Sequence, residues 1–449
     1  MSEVIKIRKG LDIKLVGQAE KKISEVKSDT YALKPPDFVG VFPKMFLKEG
    51  DPVKAGTPVF FDKYRDNIVF SSPVSGTIKE IHRGAKRKML EVRIDSNGKM
   101  EYEDYGAADP LSLDRKQVIE KLMKSGVWAN IRQRPYSVIA NPESEPKAIH
   151  ISAFDTAPLG PDMDFLVEQD AKAFQAGINA LTKLTNGKVH LNVREGQTQS
   201  RVFLDAKGVQ VNRFNGPHPT GNVGVQIHHL DPVNKGDVVW YLTPVAVIFV
   251  GRLFLTGTYD VTRLISFCGS EVKDPQYLKV ITGTAIAPII KDRIKESNIR
   301  YISGNVLTGD QIDKNGYLGF YHDQLTVIPE GNEYEMFGWA MPRFNKFSYS
   351  KTYFSWLLPK KRYDLDTNMN GGHRAFVLTG EYERVFPMDI YPLQLLKAII
   401  VKDIDLMENL GIYEVDEEDF ALCEFIDASK TEMQVIVREG LDFIRKEMQ

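Results

Sequence analysis

The feature that most constrains the fold is a pattern of turns and short strands between residues 47 and 76. The stretch LKEGDPVKAGTPV, Leu47–Val59, places glycines at turns between short strands that contain β-branched residues. A second stretch, SPVSG at Ser72–Gly76, opens another run of the same character. Glycine turns that alternate with short β-branched strands are typical of small antiparallel sandwiches. The sequence therefore predicts a β-sandwich domain over residues 1–100.

The two stretches resemble the two halves of the biotinyl/lipoyl carrier fold, in which a lysine at a tight hairpin bears the cofactor. Lys63 stands at the corresponding tip, within FFDKYRDN at Phe60–Asn67. We expect a longer and more polar tip here, because Ser72 follows Lys63 by nine residues, later than in the carriers. The enzyme that attaches such a cofactor reads the shape of the hairpin. We therefore expect a barrel-sandwich domain with an unmodified, solvent-exposed Lys63.

Residues 101–255 have the pattern of a Rossmann-like α/β domain. An apolar stripe at helical spacing ends at Gly126, and Asp162 or Asp164 is expected to open a long helix. Predicted strands at Ala148–Phe154 and Lys188–Arg194 flank that helix, which favours a parallel sheet. A nucleotide site is not expected, because bulky side chains stand where a glycine-rich phosphate turn would need bare backbone.

An apolar run, LTPVAVIFVG at Leu242–Gly251, is too short to span a bilayer and is interpreted as a buried strand. The N-terminus has no apolar signal region, so we expect no secretory signal.

The formal net charge of −2 gives no indication of nucleic-acid binding. The chain has two cysteines, Cys268 and Cys423, which is too few for a disulfide framework or for an iron–sulfur cluster.

The second half of the chain predicts two further domains. Strands at Arg263–Cys268, Leu278–Thr282 and Arg300–Ser303, with a helix at Ala287–Ile294, favour a β-grasp, SLBB-like module over residues 256–330. Residues 331–449 form a loop-rich and then helical C-terminal domain, and Ser429–Glu432 is interpreted as a capping box before the last helix.

The histidines show no metal-ligand spacing. We place His228 and His229 on a strand, where adjacent side chains point to opposite faces, and we expect structural roles for both and for His218.

Seven segments carry a resemblance over the whole length of the chain to the NqrA family, a subunit family of the bacterial Na⁺-translocating NADH:quinone oxidoreductase. The segments are RKGLD (8–12), SPVSGTIKEIHRGAKRKMLEV (72–92), FDTAP (154–158), GPHPTGNVGVQIHHLDPV (216–233), GRLFLTGTYDVTRLISFCG (251–269), GYLGFYHDQLTVIPEG (316–331) and EEDFALCEFID (417–427).

More distant relatives are RnfC and the flavin-binding subunit of respiratory complex I, which have a glycine-rich flavin/NADH loop and clustered cysteines. Here Arg132–Tyr136 replaces the loop, and Cys423 stands alone, with Asp427 where relatives often show a second cysteine. The resemblance thus implies a shared scaffold that binds neither flavin nor an iron–sulfur cluster.

The resemblance also implies a function. The family complex oxidises NADH, reduces quinone and exports Na⁺, with the NADH site and the redox cofactors on other subunits. This chain is expected to be a peripheral subunit on the cytoplasmic side of the bacterial inner membrane, with NqrB to NqrF as partners and the membrane subunit NqrB as the most direct one. It is expected to act at the quinone-reduction end, from semiquinone to quinol, and not to be catalytic alone. The alternative is a cofactor-free assembly subunit without quinone contact.

For quinone contact, the segments that the family implicates match LKPPDF (33–38) and IRQRPYS (131–137). A quinone pocket needs apolar and aromatic walls with a few polar groups that orient the carbonyls. An arginine there would donate to a carbonyl oxygen or stabilise a developing quinol anion. The candidate residues are Pro35, Pro36, Phe38, Arg132, Arg134 and Tyr136. The alternative for these residues is an interface with a partner subunit.

The aromatic run Phe344–Trp356 and the basic Lys360–Arg362 are candidates for packing on a partner or on anionic headgroups, or for a solvated loop.

Overall fold

The computed structural model of the chain describes residues 3–295, 298–332, 335–376 and 380–448. The β-strands are β1 (Val4–Lys6), β2 (Glu20–Glu25), β3 (Thr30–Leu33), β4 (Pro43–Met45), β5 (Pro52–Val53), β6 (Pro58–Asp62), β7 (Arg65–Ser71), β8 (Gly76–Arg83), β9 (Met89–Ser96), β10 (Arg132–Arg134), β11 (Val138–Ile139), β12 (Ala148–Ser152), β13 (Lys188–Arg194), β14 (Gln210–Asn215), β15 (Val239–Leu242), β16 (Thr262–Cys268), β17 (Gln276–Ile281), β18 (Ile299–Ser303), β19 (Asp310–Ile312) and β20 (Gln324–Pro329). The α-helices are α1 (Arg115–Ser125), α2 (Met163–Val167), α3 (Ala171–Leu181), α4 (Arg201–Leu204), α5 (Val223–Leu230), α6 (Pro244–Thr256), α7 (Ala287–Ile290), α8 (Tyr382–Val385), α9 (Pro392–Ile400), α10 (Ile404–Asn409), α11 (Ala421–Ile426) and α12 (Met433–Glu447).

The predicted N-terminal barrel-sandwich is confirmed. A sheet of order β3-β9-β8-β5 and a sheet of order β4-β6-β7 share one core, which includes Phe60, Phe70 and Val92. The first two strands of the chain lie outside this sandwich, since β1 runs parallel to β14 and β2 runs parallel to β17. The N-terminal segment therefore ties the sandwich to the sheets of the next two domains. The predicted domain limits themselves stay a prediction.

The hairpin tip at Lys63 is tighter than expected. Strand β6 ends at Asp62 and β7 begins at Arg65, so that Lys63 and Tyr64 alone form the turn. The buried Asp62 accepts a hydrogen bond from Arg65 Nε at 3.1 Å, which closes the turn. The expected lengthened tip is therefore wrong, and the additional residues lengthen β7 instead. Hairpin shape no longer argues against attachment of a cofactor, and the unmodified Lys63 stays a prediction.

The second domain is the predicted α/β domain. Its sheet has the order β1-β14-β13-β12-β15-β10-β11, and β1, β14, β13, β12 and β15 run parallel to one another. Helix α1 follows the predicted stripe and ends at Ser125, and Gly126 follows it with a φ of 81°, the left-handed cap conformation that glycine favours. Helices α3 and α6 pack closely, since a Cβ on Gly251 would lie 1.7 Å from the carbonyl oxygen of Ala173. Residues of both helices share one buried core with Trp240 and Leu242 of β15, the strand that also carries Tyr241.

Three local predictions in this domain are wrong. The apolar run Leu242–Gly251 is the end of β15 followed by α6, because Thr243 Oγ1 caps the amide of Ala246 at 3.2 Å and Pro244 starts the helix. The single long helix is two helices, α2 and α3, separated at residues 168–170. His228 and His229 lie on α5, not on a strand, with their ring centroids 5.1 Å apart.

The last two domains follow the prediction in outline. The β-grasp module uses a sheet of order β19-β18-β20-β16-β17-β2, over a core that includes Phe267, Leu278 and Leu325. Its helix α7 is shorter than expected and ends at Ile290. The C-terminal helices share a core in which α12 buries Val437, Leu441 and Ile444.

The capping box at Ser429–Glu432 is wrong. Helix α12 begins at Met433 and has no side-chain cap. The hydroxyl of Ser429 donates to the carbonyl of Ala375 instead.

Candidate functional site

The two segments expected to form the site converge on a third one, around Phe320 and Tyr321 of the β-grasp module. Asp37 Oδ2 accepts a hydrogen bond from the backbone amide of Phe320 at 2.7 Å. The Phe38 ring lies 4.8 Å from the Phe320 ring and 5.9 Å from the Tyr321 ring. Phe38 is only 2% exposed, so it supports Tyr321 from behind and does not line an open pocket.

Arg132 reaches the same tyrosine from the α/β domain. It lies on β10, is half-buried, and its guanidinium sits between two rings, 4.7 Å from the centroid of Tyr241 and 4.6 Å from that of Tyr321. The Tyr321 hydroxyl donates to the carbonyl of Ala129 at 2.6 Å, which fixes the ring. Within the described part of the chain, the Arg132 guanidinium has no hydrogen bond or ion pair. The site therefore presents a held, half-buried cation with unused N–H donors.

Arg134, two residues further along β10, has a different environment. Its side chain is 0% exposed and lies 3.0 Å from Asp419 Oδ2 and 2.8 Å from Glu418 Oε1 of the C-terminal domain. Burial raises the pKa of Glu418 to about 7 and that of Asp419 above its ordinary value. For Asp416, burial acts in the same direction, but the charges of Arg134 and Arg438 lower its pKa. Arg134 thus fastens the α/β domain to the C-terminal domain, and its side chain is closed off from solvent.

The remaining expected site residues are not brought to Arg132. Tyr136 is half-buried with φ at 80°, and its ring lies 6.2 Å from Tyr413 of the C-terminal domain. Its carbonyl accepts a hydrogen bond from Arg438 at 3.0 Å. Pro35 is buried, whereas Pro36 is exposed on the surface. Among the six expected residues, the structure joins Phe38 and Arg132 through Tyr321 and places Arg134 and Tyr136 at the C-terminal domain.

Sequence reasoning missed the two tyrosines that hold Arg132 and the acidic residues that hold Arg134. Tyr321 lies in GYLGFYHDQ, and Asp419 lies in EEDFALCEFID, both among the segments that carry the family resemblance. Those segments were the available signal, but no sequence spacing joins them to Arg132 or Arg134. Tyr241 lies on β15, a strand whose residues are all buried, so its sequence pattern did not distinguish it from a core residue.

Two cavities of about 990 and 670 Å³ lie elsewhere, on the α/β domain near α3. The larger one is lined by polar side chains that bind each other, as Lys21 does with Asp162 at 2.6 Å. None of the six expected residues lines either cavity. Among the described residues there is no group of histidine, cysteine and carboxylate side chains arranged to hold a metal ion.

Comparison with known proteins identifies the family. Models of the NqrA N-terminal barrel-sandwich hybrid domain, the NqrA second alpha/beta domain and the NQRA C-terminal domain match residues 5–97, 113–259 and 264–314. The NqrA subunits of the Na⁺-translocating NADH-quinone reductases from Photorhabdus laumondii and Pasteurella multocida are each 39% identical to the chain, over 99% of it and 100% of the relative. The chain belongs to the NqrA family. As an NqrA chain, it is a subunit of an oxidoreductase complex.

A solved structure with partial likeness is the NAD⁺-reducing [NiFe]-hydrogenase in the air-oxidised state, at 12% identity and a TM-score of 0.39 over 76% of this chain and 63% of that one. No helix among the described residues of this NqrA chain has the length and apolar character needed to cross a membrane.

Proposed function

We propose that this chain acts at the quinone-reduction end of a Na⁺-translocating NADH:quinone reductase, and that Arg132 donates a hydrogen bond to a carbonyl oxygen of the quinone. The observation that supports this is the guanidinium of Arg132, held between Tyr241 and Tyr321 with its N–H donors unused by other described residues. Aromatic walls around a positioned donor are what a quinone ring and its carbonyls require.

The arrangement also suits the charge that develops during reduction. When semiquinone accepts an electron and protons to become quinol, negative charge builds on an oxygen before the last proton arrives. A preorganised cation in a half-buried site stabilises such charge more than water does, because it needs no reorientation. The two tyrosine rings hold the guanidinium group in place, because each cation–π contact contributes about 0.5–2 kcal/mol. Arg132 is thereby fixed before the substrate arrives.

In this proposal the electrons come from other subunits. Flavins, iron–sulfur centres and the NADH site belong to those subunits, and this chain contributes protein groups alone. Both cysteines, Cys268 and Cys423, are buried, and burial raises the pKa of the Cys268 thiol to about 11. Burial raises the pKa of the Cys423 thiol as well. Neither thiol is therefore poised as a ligand or nucleophile at neutral pH. The chain binds and polarises quinone, and the complex is the enzyme.

A second candidate function is assembly without quinone contact, and a separate surface favours it. Large apolar side chains are exposed along the loop from Met336 to Leu358, with Met336 85%, Phe337 61% and Leu357 53% exposed. Several large exposed apolar side chains on one loop are typical of a protein–protein interface. We propose that another subunit, the membrane subunit NqrB, packs on this loop on the cytoplasmic side of the membrane. Quinone contact at Arg132 is compatible with such docking.

The test uses the whole complex with Arg132 replaced. Arg132→Ala removes one charged hydrogen-bond donor, which costs about 1.5–3 kcal/mol and raises the quinone KM about 10- to 150-fold if the loss falls on binding. Arg132→Lys keeps the charge and loses the planar fork, so it should recover only part of the effect. Arg213→Ala, which removes a partly exposed arginine that pairs with Glu195 on the same sheet, is the matched control.

Two further readouts separate the candidates. Electron transfer from NADH to an artificial acceptor should be unchanged in Arg132→Ala, because that chemistry lies upstream of the quinone. Normal subunit content with a raised quinone KM supports the proposal. Loss of the subunit from the complex would assign Arg132 to an interface and favour the assembly function. An unchanged quinone KM and unchanged inhibitor response in an intact complex would refute quinone contact at Arg132.

A further inference from the structure

The hairpin that resembles a carrier arm is part of a surface that the quinone site does not use. We call this surface the aromatic–lysine strip. It consists of every second residue from 42 to 48, a stretch that includes β4, and of the two residues at the neighbouring hairpin tip. Its members are Phe42, Lys44, Phe46, Lys48, Lys63 and Tyr64. All six side chains are exposed, and the three aromatic ones are 54% (Phe42), 51% (Phe46) and 68% (Tyr64) exposed.

The alternation follows from the strand. Successive side chains of a β-strand point to opposite faces, and the same alternation of burial continues on both sides of β4. Met45 and Leu47 therefore pack against the core while the strip members are exposed. The exposed rings are held by their neighbours. Phe42 lies 5.0 Å from Tyr64, and Phe46 lies 4.5 Å from Phe61 on β6. The turn is fixed to the strand, because the amide of Lys63 donates to the carbonyl of Phe42 at 2.8 Å.

The lysines stand among these rings. Lys44 Nζ lies 5.7 Å from the Phe61 centroid, and Lys63 Nζ lies 5.5 Å from the Tyr64 centroid. None of the three strip lysines makes an ion pair among the described residues. The acids nearby are Asp51, which accepts a hydrogen bond from the amide of Lys48 at 2.9 Å, Glu49, which accepts one from the amide of Ile81, and Asp66 on the side of the hairpin. Along β4 itself, the strip carries only rings and positive charge.

We propose that the aromatic–lysine strip rests on an anionic lipid surface, which places the chain against the headgroups of the membrane. Tyrosine is enriched at the level of the headgroups, exposed phenylalanine rings bury apolar area at the boundary between headgroups and acyl chains, and each lysine near an anionic leaflet is attracted to its negative charge. A protein partner fits the strip less well, because lysine is depleted in protein–protein interfaces. No described helix can cross a bilayer, so contact between the described part of this chain and lipid has to use surface elements such as this one. The inference does not depend on quinone contact at Arg132.

The test measures binding of the full chain to vesicles by co-sedimentation. Vesicles that contain phosphatidylglycerol should bind the chain, and vesicles of phosphatidylcholine should bind it much more weakly. Lys44→Ser with Lys48→Ser should lower the partition coefficient about 30-fold, which corresponds to about 2 kcal/mol. Exchange of two exposed lysines outside the strip, Lys54→Ser with Lys99→Ser, is the matched control and should change binding much less. Added salt should weaken binding, because exposed charges are screened.

A second pair of variants tests the rings. Phe42→Ser with Phe46→Ser keeps every lysine, and under the proposal it also loses vesicle binding, whereas purely electrostatic adsorption would leave binding unchanged. Circular dichroism checks that each variant is folded. Equal binding to both kinds of vesicle, or equal loss in the Lys54/Lys99 control, would overturn the proposal. So would variants that bind vesicles normally but drop out of the assembled complex, since the strip would then contact another subunit.

Discussion

Removing Arg134 should cost more stability than removing any exposed arginine of this chain. The guanidinium is 0% exposed and contacts Asp419, which is 1% exposed, at 3.0 Å, and Glu418, which is one-third exposed, at 2.8 Å. Arg134→Ala leaves the Asp419 carboxylate buried without its cation, and breaking a buried pair in this way costs about 3–5 kcal/mol. Glu418 adds little, because water compensates for part of its lost partner. We expect a total loss of about 3–5 kcal/mol.

The loss should be concentrated at the junction between the α/β and C-terminal domains. A chain of several domains need not unfold in one step, so hydrogen exchange in α10 to α12 is measured together with urea unfolding. Replacing both partners, Arg134→Ala with Asp419→Ala, should cost less than the sum of the single changes, by about 2–3 kcal/mol. Arg213→Ala removes a partly exposed pair and should cost about 0–1 kcal/mol. A loss below about 1 kcal/mol in Arg134→Ala, with unchanged exchange in these helices, would refute this account of the junction.

Three other predictions follow from the same structure. Burial, reinforced by Asp416, raises the pKa of Glu417 to about 8, so its contribution to stability is complete below its ordinary pKa near 4.5 and is lost as the pH rises through about 8. The unfolding free energy of wild type should therefore fall relative to Glu417→Gln between about pH 5 and pH 8, and a constant difference in urea titrations would contradict this. The chain purified alone should have the mass of its unmodified sequence and no flavin or iron absorbance, and a lipoyl or biotinyl increment on Lys63 would show that expectation to be wrong. High-pH carbonate should release the chain from native membranes, as expected of a peripheral subunit, and retention after this wash would argue against that assignment.

Much of the architecture could be predicted from local chemistry. Glycine turns and β-branched runs predicted the barrel-sandwich, and the stripe that ends at Gly126 predicted α1. The prediction for the apolar run Leu242–Gly251 failed because a short continuous apolar segment does not distinguish a buried strand from a buried helix. Thr243 and Pro244 were the local signals for a helix start, and they should have outweighed the β-branched residues that follow.

The candidate site was harder to predict, because its parts come together only in the folded chain. Arg132 and Arg134 look equivalent in the sequence, with a single residue between them on the same strand. In the structure both guanidinium groups lie near the Tyr241 ring, at 4.7 Å for Arg132 and 5.9 Å for Arg134. Arg132 also lies against Tyr321, whereas Arg134 pairs with the carboxylates of Asp419 and Glu418. Tyr241 lies opposite Arg132 on the neighbouring strand β15, but the other two partners lie in other domains, Tyr321 nearly 190 residues from Arg132 and Asp419 285 residues from Arg134. Sequence periodicity carries no information over such separations, so the roles of the two arginines could not be assigned from sequence alone.

The most direct test of quinone contact is a structure of the whole complex with a quinone analogue bound. The account predicts a carbonyl oxygen of the analogue within about 3.2 Å of a guanidinium nitrogen of Arg132, with the side chain still between Tyr241 and Tyr321. An analogue bound only by other subunits, with Arg132 paired to a carboxylate of a partner subunit, would contradict it.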